Sequence, residues 1–380
     1  MLPVKDCTGC GACSHICPKN CINMVADNNG FLYPQINNDK CVNCSLCEKT
    51  CPVLNKHEQK SITSVNCYAA KVNNDGIRHN SSSGGVFSVI AEKVLKNNGI
   101  VYGAAFDENF VVKHIGISSI DDLDLLRRSK YVQSDLNNAF SLVESNLKEG
   151  KTVLFTGTPC QIEGLIAYLK KPYDNLTTVD FICHGVPAPD VWEEYKKQLK
   201  AKHKAEITKV NFRDKSLGWK NFSLRVEFHN GNVYCNTFKN DPYMKAFLIN
   251  LDLRNSCYTC KFKNIIHKSD ITVADFWGID KIEPSIDDDK GLSLLLLNTD
   301  KGKVLITETE NNLTLTEIDI EKTFPYNPCI IKPSVEHNFR QYFLNSYTKD
   351  DFGNVVDSCL KPSYITRLKR KALQIKNGDI

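Results

Sequence analysis

Two cysteine runs of one form constrain this chain more than any other feature. Cys7-Thr-Gly-Cys10-Gly-Ala-Cys13 continues to Cys17-Pro18, and Cys41-Val-Asn-Cys44-Ser-Leu-Cys47 continues to Cys51-Pro52. In C-x2-C-x2-C-x3-C-P spacing, three close thiolates grip three irons of a 4Fe-4S cubane and the fourth cysteine reaches across to the other cluster. The expected ligand sets are Cys7, Cys10, Cys13 and Cys51 for one cluster, and Cys41, Cys44, Cys47 and Cys17 for the second. Close loops need small or φ-permissive residues, which Gly9, Gly11 and Ala12 supply; the second run has Asn43 and Ser45 in the glycine positions. Paired C-x2-C units also make zinc sites. Zinc rarely packs four cysteines so tightly, and the proline after each fourth cysteine favours iron.

Seventeen cysteines are more than a cytoplasmic chain needs for packing, and disulfides are kept reduced there. Eight lie in the two runs, Cys160, Cys183, Cys257 and Cys260 sit in distinctive later contexts, and Cys21, Cys67, Cys235, Cys329 and Cys359 remain. Cys21 reads as a small buried apolar residue. Cytoplasmic location is expected, because Met1 to Cys7 carries no apolar leader and no stretch approaches the ~18 apolar residues of a membrane span. A net charge of +4, from 48 basic and 44 acidic residues, does not call for nucleic acid. At ~150 residues per domain, 380 residues suggest two or three domains.

Between the runs, Ile22 to Asn37 reads as two short strands around the turn Asp27-Asn-Asn-Gly30. Asn55 to Ser64 is polar and reads as a linker. From Val65 the pattern alternates: strand 67–72, helix 83–98, strand 99–106, then strand 151–157, the turn Thr158-Pro159, helix 160–171, strand 176–183 and a helix near Val191 to Lys202. Further strands are expected at 207–212, 222–228, 232–238, 271–274 and 292–297. The fold class is α+β, a two-cluster domain over 1–56 followed by mixed α/β segments over 65–150 and 151–330. A basic, partly helical tail is expected over 331–380; its 361–376 stretch could touch an acidic partner or a membrane surface, and a solvated tail is the preferred reading.

Three later contexts are suggestive: Gly157-Thr-Pro-Cys160-Gln161, Ile182-Cys183-His184-Gly185 and Cys257-Tyr-Thr-Cys260. Loops at the carboxyl ends of parallel strands converge on one crevice, so cysteines there can meet. The Cys257/Cys260 pair alone suits zinc or a redox disulfide equally. Ser82-Ser83-Gly84-Gly85 opens a helix, a ready anion site or an ordinary serine cap with a tight turn. Thr156-Gly157-Thr158 offers a second such turn, and Lys130 adds a cation for a pyrophosphate.

Ser-Ser-Gly-Gly-Val-Phe at 82–87, Val-Tyr-Gly-Ala-Ala-Phe at 101–106, Ser-Lys-Tyr-Val-Gln-Ser at 129–134, Gly-Thr-Pro-Cys-Gln at 157–161, Cys-His-Gly-Val-Pro at 183–187, Cys-Tyr-Thr-Cys-Lys-Phe at 257–262 and Asp-Ile-Thr-Val-Ala-Asp-Phe-Trp-Gly at 270–278 stand together in this chain. With these it resembles the beta subunits of coenzyme F-420 hydrogenases and dehydrogenases. These are iron–sulfur flavoproteins that include a chlorophyll-derivative reductase in plants. The resemblance implies an N-terminal-type domain over 65–150 and a C-terminal-type domain over 151–330 holding FAD and a third 4Fe-4S cluster. It assigns Cys160, Cys183, Cys257 and Cys260 to that cluster. As FAD contacts it suggests Ser82, Ser83, Gly84, Gly85, Ser129, Lys130, Tyr131, Ser134, Thr156, Gly157, Thr158 and Gln161. No general base is evident and none is required, since hydride passes directly to a flavin. The expected activity is an oxidoreductase joining the clusters to FAD and an organic hydride acceptor or donor. A redox partner protein such as a ferredoxin, hydrogenase or dehydrogenase subunit is possible. The rivals are a relay subunit without its own substrate and a zinc-stabilised binding module.

Overall fold

The alternation that begins at Val65 builds one large sheet, and the cysteine-rich start packs against its side. The structure, a computed structural model, describes residues 5–55 and 65–377. Apart from Asn55, the expected linker lies outside the described residues.

Ile22–Ala26 (β1) and Leu32–Ile36 (β2) pair antiparallel with Ile22 opposite Ile36. The turn between them is held by the Asp27 carboxylate, which accepts from the amides of Asn29 and Phe31. Two short helices, Ala12–His15 and Leu46–Thr50, carry the third cysteine of each run, Cys13 and Cys47, and pack on each other.

The remaining strands are Asn66–Val72 (β3), Ile100–Phe106 (β4), Val112–Ile117 (β5), Val153–Gly157 (β6), Leu176–Phe181 (β7), Ile207–Asp214 (β8), Ser223–Phe228 (β9), Val233–Thr237 (β10), Ile271–Asp275 (β11), Ser293–Leu297 (β12) and Leu313–Glu317 (β13). Eight form a sheet in the order β13-β3-β12-β11-β7-β6-β4-β5, and β10-β9-β8 form a second, antiparallel one. The middle of the large sheet is parallel, β4 to β6 to β7 to β11, and its flanks are antiparallel. Helix-covered parallel strands must be apolar on both faces. Accordingly Val153, Leu154 and Phe155 of β6 are buried; β12, antiparallel to both neighbours but interior to the sheet, is likewise buried at all five positions.

This sheet crosses the boundary expected at 150, because β4 pairs with β6 and β3 lies between β12 and β13. The two α/β segments therefore share one sheet. Strands β5 and β13 were not expected from the sequence; both are edge strands, where one neighbour and partial exposure weaken the apolar signal. The segment after 331 is also more than a tail. Phe343, Phe352, Val355 and Val356 complete a core with Trp192, Phe212 and Tyr243. The stretch read as solvated ends in a helix, Tyr364–Asn377. Among the described residues no helix is long and apolar enough to cross a membrane.

Candidate functional site

The two cysteine runs repeat in backbone as well as in sequence. Gly9 and Gly11 have φ of 73° and 69°, and Asn43 and Ser45, in the same places of the second run, have 52° and 56°. A loop wrapping a cluster needs this left-handed geometry, which glycine adopts freely and asparagine tolerates. Cys13 is pushed up to about 12 by burial first and then by the charges of Cys7 and Cys51. Burial also raises Cys10, with Cys13, Cys160 and Cys7 adding to the shift, and it raises Cys51, to which Cys7 adds. Cys7, Cys10, Cys13 and Cys51 are thus gathered as one group. Cys44 is exposed, Cys41 and Cys47 are half-buried, and Cys17 is buried with its Sγ 3.3 Å from that of Cys21. Cys21 therefore stands beside the second set. None of the seventeen cysteines is paired in a disulfide.

A second gathering lies at the carboxyl end of the parallel strands. Cys160 sits in the first turn of the helix Pro159–Leu169, which Thr158 and Gln161 close with a reciprocal capping box. Cys183 follows the adjacent strand β7. Cys257 reaches the same place because the strap after Cys183 pairs with the segment before Cys257: Ala188 N donates to Asp252 O, and Arg254 N to Val186 O. Cys160, Cys183, Cys257 and Cys260 line one cavity. All six pairs among them interact electrostatically: Cys257 and Cys260 raise Cys160, all three of these raise Cys183, and Cys260 raises Cys257. Burial is the larger cause in each, pushing Cys160 up to about 12 and Cys257 to about 11.

Buried thiols so crowded are unfavourable as free anions, whereas a cluster takes them as thiolates and spreads their charge. Basic side chains line the same cavity. Lys263 donates to the carbonyl of Cys183, Arg254 lines the wall, and His267 is bound to the Asp180 carboxylate at 2.7 Å. Burial lowers the pKa of His267, but Asp180 outweighs it and the net shift is upward. Among the described residues no three His, Cys, Asp or Glu side chains are tight enough to hold a single metal ion. A cubane needs its four ligands at four corners, spread wider than the shell of one ion. The donor set fits that group.

The two gatherings touch. A Cβ placed on Gly164, in the helix that carries Cys160, would lie 2.9 Å from Cys10 Cβ and 3.0 Å from its Sγ. Arg254 holds the cluster-binding segment in place. It is fully buried and donates through Nε to Cys7 O (2.7 Å), Nη2 to Leu32 O (2.8 Å) and Nη1 to Gln133 Oε1 (2.9 Å). Gln133 Nε2 in turn donates to Thr8 O at 3.0 Å. Sequence reasoning missed Arg254 and Gln133, whose roles depend on contacts distant along the chain. It also missed Cys329, which lines the inner cavity 3.6 Å from His184 Nδ1. Asn250 Nδ2 donates to Val335 O, so its Oδ1 faces His184 Nε2–H (2.6 Å), and Nδ1 is left to accept from Cys329.

The residues expected to contact FAD fall into two groups. Ser129 N donates to Ser82 Oγ at 2.8 Å, and Arg213, paired bidentately with Asp275, donates to Tyr131 Oη (3.0 Å) and Ser82 O (3.1 Å). Ser134, Gly157, Thr158 and Gln161 meet at the end of β6: Gln161 donates to Ser134 Oγ and accepts from Thr158 N. Thr156 Oγ1 is bound to Tyr102 O. Some of these positions are tied into the surrounding fold. The Gly84 and Gly85 side-chain positions face the sheet, not open space: a Cβ would meet Ala70 O at 2.2 Å and Val72 Cγ1 at 2.7 Å respectively, and Ser83 Oγ is bound to Leu292 O. Lys130 is not presented as a free cation, since its Nζ donates to the carbonyls of Leu125 and Arg127.

Residues 6–55 match the 4Fe-4S dicluster domain, so the protein is an iron–sulfur electron-transfer protein. Residues 150–323 match the family described as the C terminus of the coenzyme F420 hydrogenase/dehydrogenase beta subunit. The chain thus carries a dicluster domain ahead of a region that matches this beta-subunit family of oxidoreductases. A solved structure of the F420-reducing NiFe hydrogenase complex from Methanosarcina barkeri, derivatised with xenon, is similar to it at 16% identity. The match covers 78% of this chain and 90% of that one, with a TM-score of 0.46. No curated protein matches the sequence.

Proposed function

We propose that the protein is a cytoplasmic iron–sulfur flavoprotein oxidoreductase that moves electrons along one line of thiol sets to an FAD exchanging hydride with an organic partner. The carrying observation is the continuity of that line. The charge of Cys47 reaches Cys13, and that of Cys160 reaches Cys10, so neighbouring sets adjoin at those pairs. Exposure is greatest at the outer set: Cys44 is exposed, as is Val42 two residues before it, while the inner four line a cavity. One-electron exchange with a redox protein belongs at the exposed set, where the two surfaces can approach closely.

Cys160, Cys183, Cys257 and Cys260 would hold the inner cluster, with Arg254, Lys263 and His267 balancing its charge. Ser82, Ser129 and Tyr131, held together by Arg213, and Ser134, Thr156, Thr158 and Gln161 at the end of β6 would orient the flavin. FAD supplies the exchange between a hydride and single electrons. The exposed Cys44 edge also favours a second reading, a relay subunit that docks in a larger complex and has no substrate of its own. Iron, sulfide and flavin assays on anaerobically purified protein test the proposal. About eight irons from the runs, about four from the inner set and bound FAD are expected. Zinc in place of iron, or full iron without flavin, would overturn it, and flavin that small acceptors cannot reoxidise would favour the relay subunit.

A further inference from the structure

The helix Tyr364–Asn377 has two faces, only one of which the fold uses. On the inner face Thr366 is buried, the Arg370 guanidinium lies 5.0 Å over the Phe339 ring, and Leu373 packs on the core around Trp192 and Phe343. On the outer face Tyr364, Ile365, Leu368 and Ala372 stand at i, i+1, i+4 and i+8, one stripe of a 3.6-residue helix. Tyr364 is 75% exposed, Ile365 64% and Leu368 50%, and Leu360 just upstream is 42% exposed. Large apolar side chains so open along one line are not accounted for by the core.

The charge around the stripe is of one sign. At 100° per residue Lys369 borders one edge and Arg367 and Lys371 the other, all three exposed. No acidic residue occurs between Asp357 and Asp379, while Lys361, Arg367, Lys369, Arg370, Lys371 and Lys376 do. Among the nearest upstream acids, Asp351 caps the helix Phe352–Leu360 and Asp357 stands 3.5 Å from Lys245.

We infer that this helix docks the protein on an anionic lipid surface, lying in the plane of the interface. The Tyr364/Ile365/Leu368 stripe enters the acyl boundary and the flanking cations meet the phosphate headgroups. An apolar stripe bordered by cations on both edges matches the layering of headgroup and hydrocarbon at such a surface. Nucleic acid offers the cations partners but gives the stripe no apolar phase, and an acidic protein face does so only with a matching groove. This inference does not depend on the redox reading.

The test is co-sedimentation of the full-length protein with vesicles. Phosphatidylcholine vesicles containing about one third phosphatidylglycerol are compared with pure phosphatidylcholine at low and high salt. Binding is expected only to the anionic vesicles and should weaken with salt. Ile365→Glu with Leu368→Glu should weaken it at least tenfold while iron content and melting temperature stay unchanged, and Lys369→Gln with Lys371→Gln should weaken it less. Absence of binding to anionic vesicles, or binding unaffected by the Ile365/Leu368 change, would overturn the inference. So would equal binding to neutral vesicles. Retention by an RNA oligomer that matches vesicle binding and ignores the stripe would reassign the helix as a polyanion site.

Discussion

Replacing Arg254 by lysine keeps the charge and removes the planar fork, so it isolates what the fork contributes. Three charge-assisted hydrogen bonds to Cys7 O, Leu32 O and Gln133 Oε1 lie in a fully buried setting. A single ammonium on a flexible stem reaches one or two of those acceptors. The variant therefore loses at least one bond worth about 1.5 to 3 kcal/mol net and leaves a carbonyl or amide oxygen buried without a donor. Partial relaxation of the remaining contacts makes about 2 to 4 kcal/mol a fair expectation. Because two of the three acceptors belong to the cluster-binding segment, the loss should appear as undocking of residues 5–55. Anaerobic urea unfolding, followed through the visible absorbance of the clusters, measures it. Arg225→Lys is the control, since that arginine pairs with Glu227 at a half-exposed site and should change stability by less than about 0.5 kcal/mol. If the Arg254 variant unfolds at the same urea concentration as the control variant, the fork does not hold the segment and the reasoning fails.

Gly164→Ala should destabilise the protein although alanine ordinarily stabilises a helix by about 0.5 to 1 kcal/mol. The added Cβ falls 2.9 Å from Cys10 Cβ, so either the helix or the first cysteine run must move, and a shifted cluster spectrum with a lowered melting temperature is expected. An unchanged spectrum with a higher melting temperature would contradict the contact. Asp252 is buried without a well-formed hydrogen bond, and burial, opposed only in part by its own amide and by Arg340, pushes it up to about 7. A raised carboxyl pKa means that the folded state binds the extra proton, so stability is full at low pH and falls as pH rises from about 4 through 7. Asp252→Asn should remove that slope and stabilise the protein above pH 7, by at most about 4 kcal/mol at 1.36 kcal/mol per unit. Denaturation midpoints at several pH values check it, and parallel curves for the two proteins would refute it.

Local signals made the cysteine runs, the β1–β2 ribbon and the parallel strands legible, because each is written in a few adjacent residues. Val153 to Gly157 is apolar at nearly every position and its helix opens on Thr158-Pro159, so strand, cap and Cys160 all follow from one short stretch. The edge strands β5 and β13 were not legible, since Val112–Ile117 and Leu313–Glu317 are half exposed and owe their pairing to neighbours. Long-range contacts were equally hidden. Arg254 meets Cys7 across 247 positions, and nothing near either residue announces the pair. Gly84 and Gly85 show how little a glycine says of its surroundings. A glycine-rich helix start suggests room for a phosphate, yet both glycines make room for strand β3. A glycine in a sequence says that a Cβ would not fit, but not what stands in its place.

The line from the cysteine runs to the flavin is tested most directly by Cys160→Ala. Alanine removes the thiol without offering an oxygen ligand to iron. Anaerobic protein of this variant should lose about four irons and keep about eight. In stopped flow, reduction of the Cys7 to Cys51 segment should be as fast as in the parent, while flavin reduction from that side should slow by orders of magnitude. Hydride exchange between FAD and an organic donor should persist. Flavin reduction at the parent rate would show that Cys160, Cys183, Cys257 and Cys260 form no electron path.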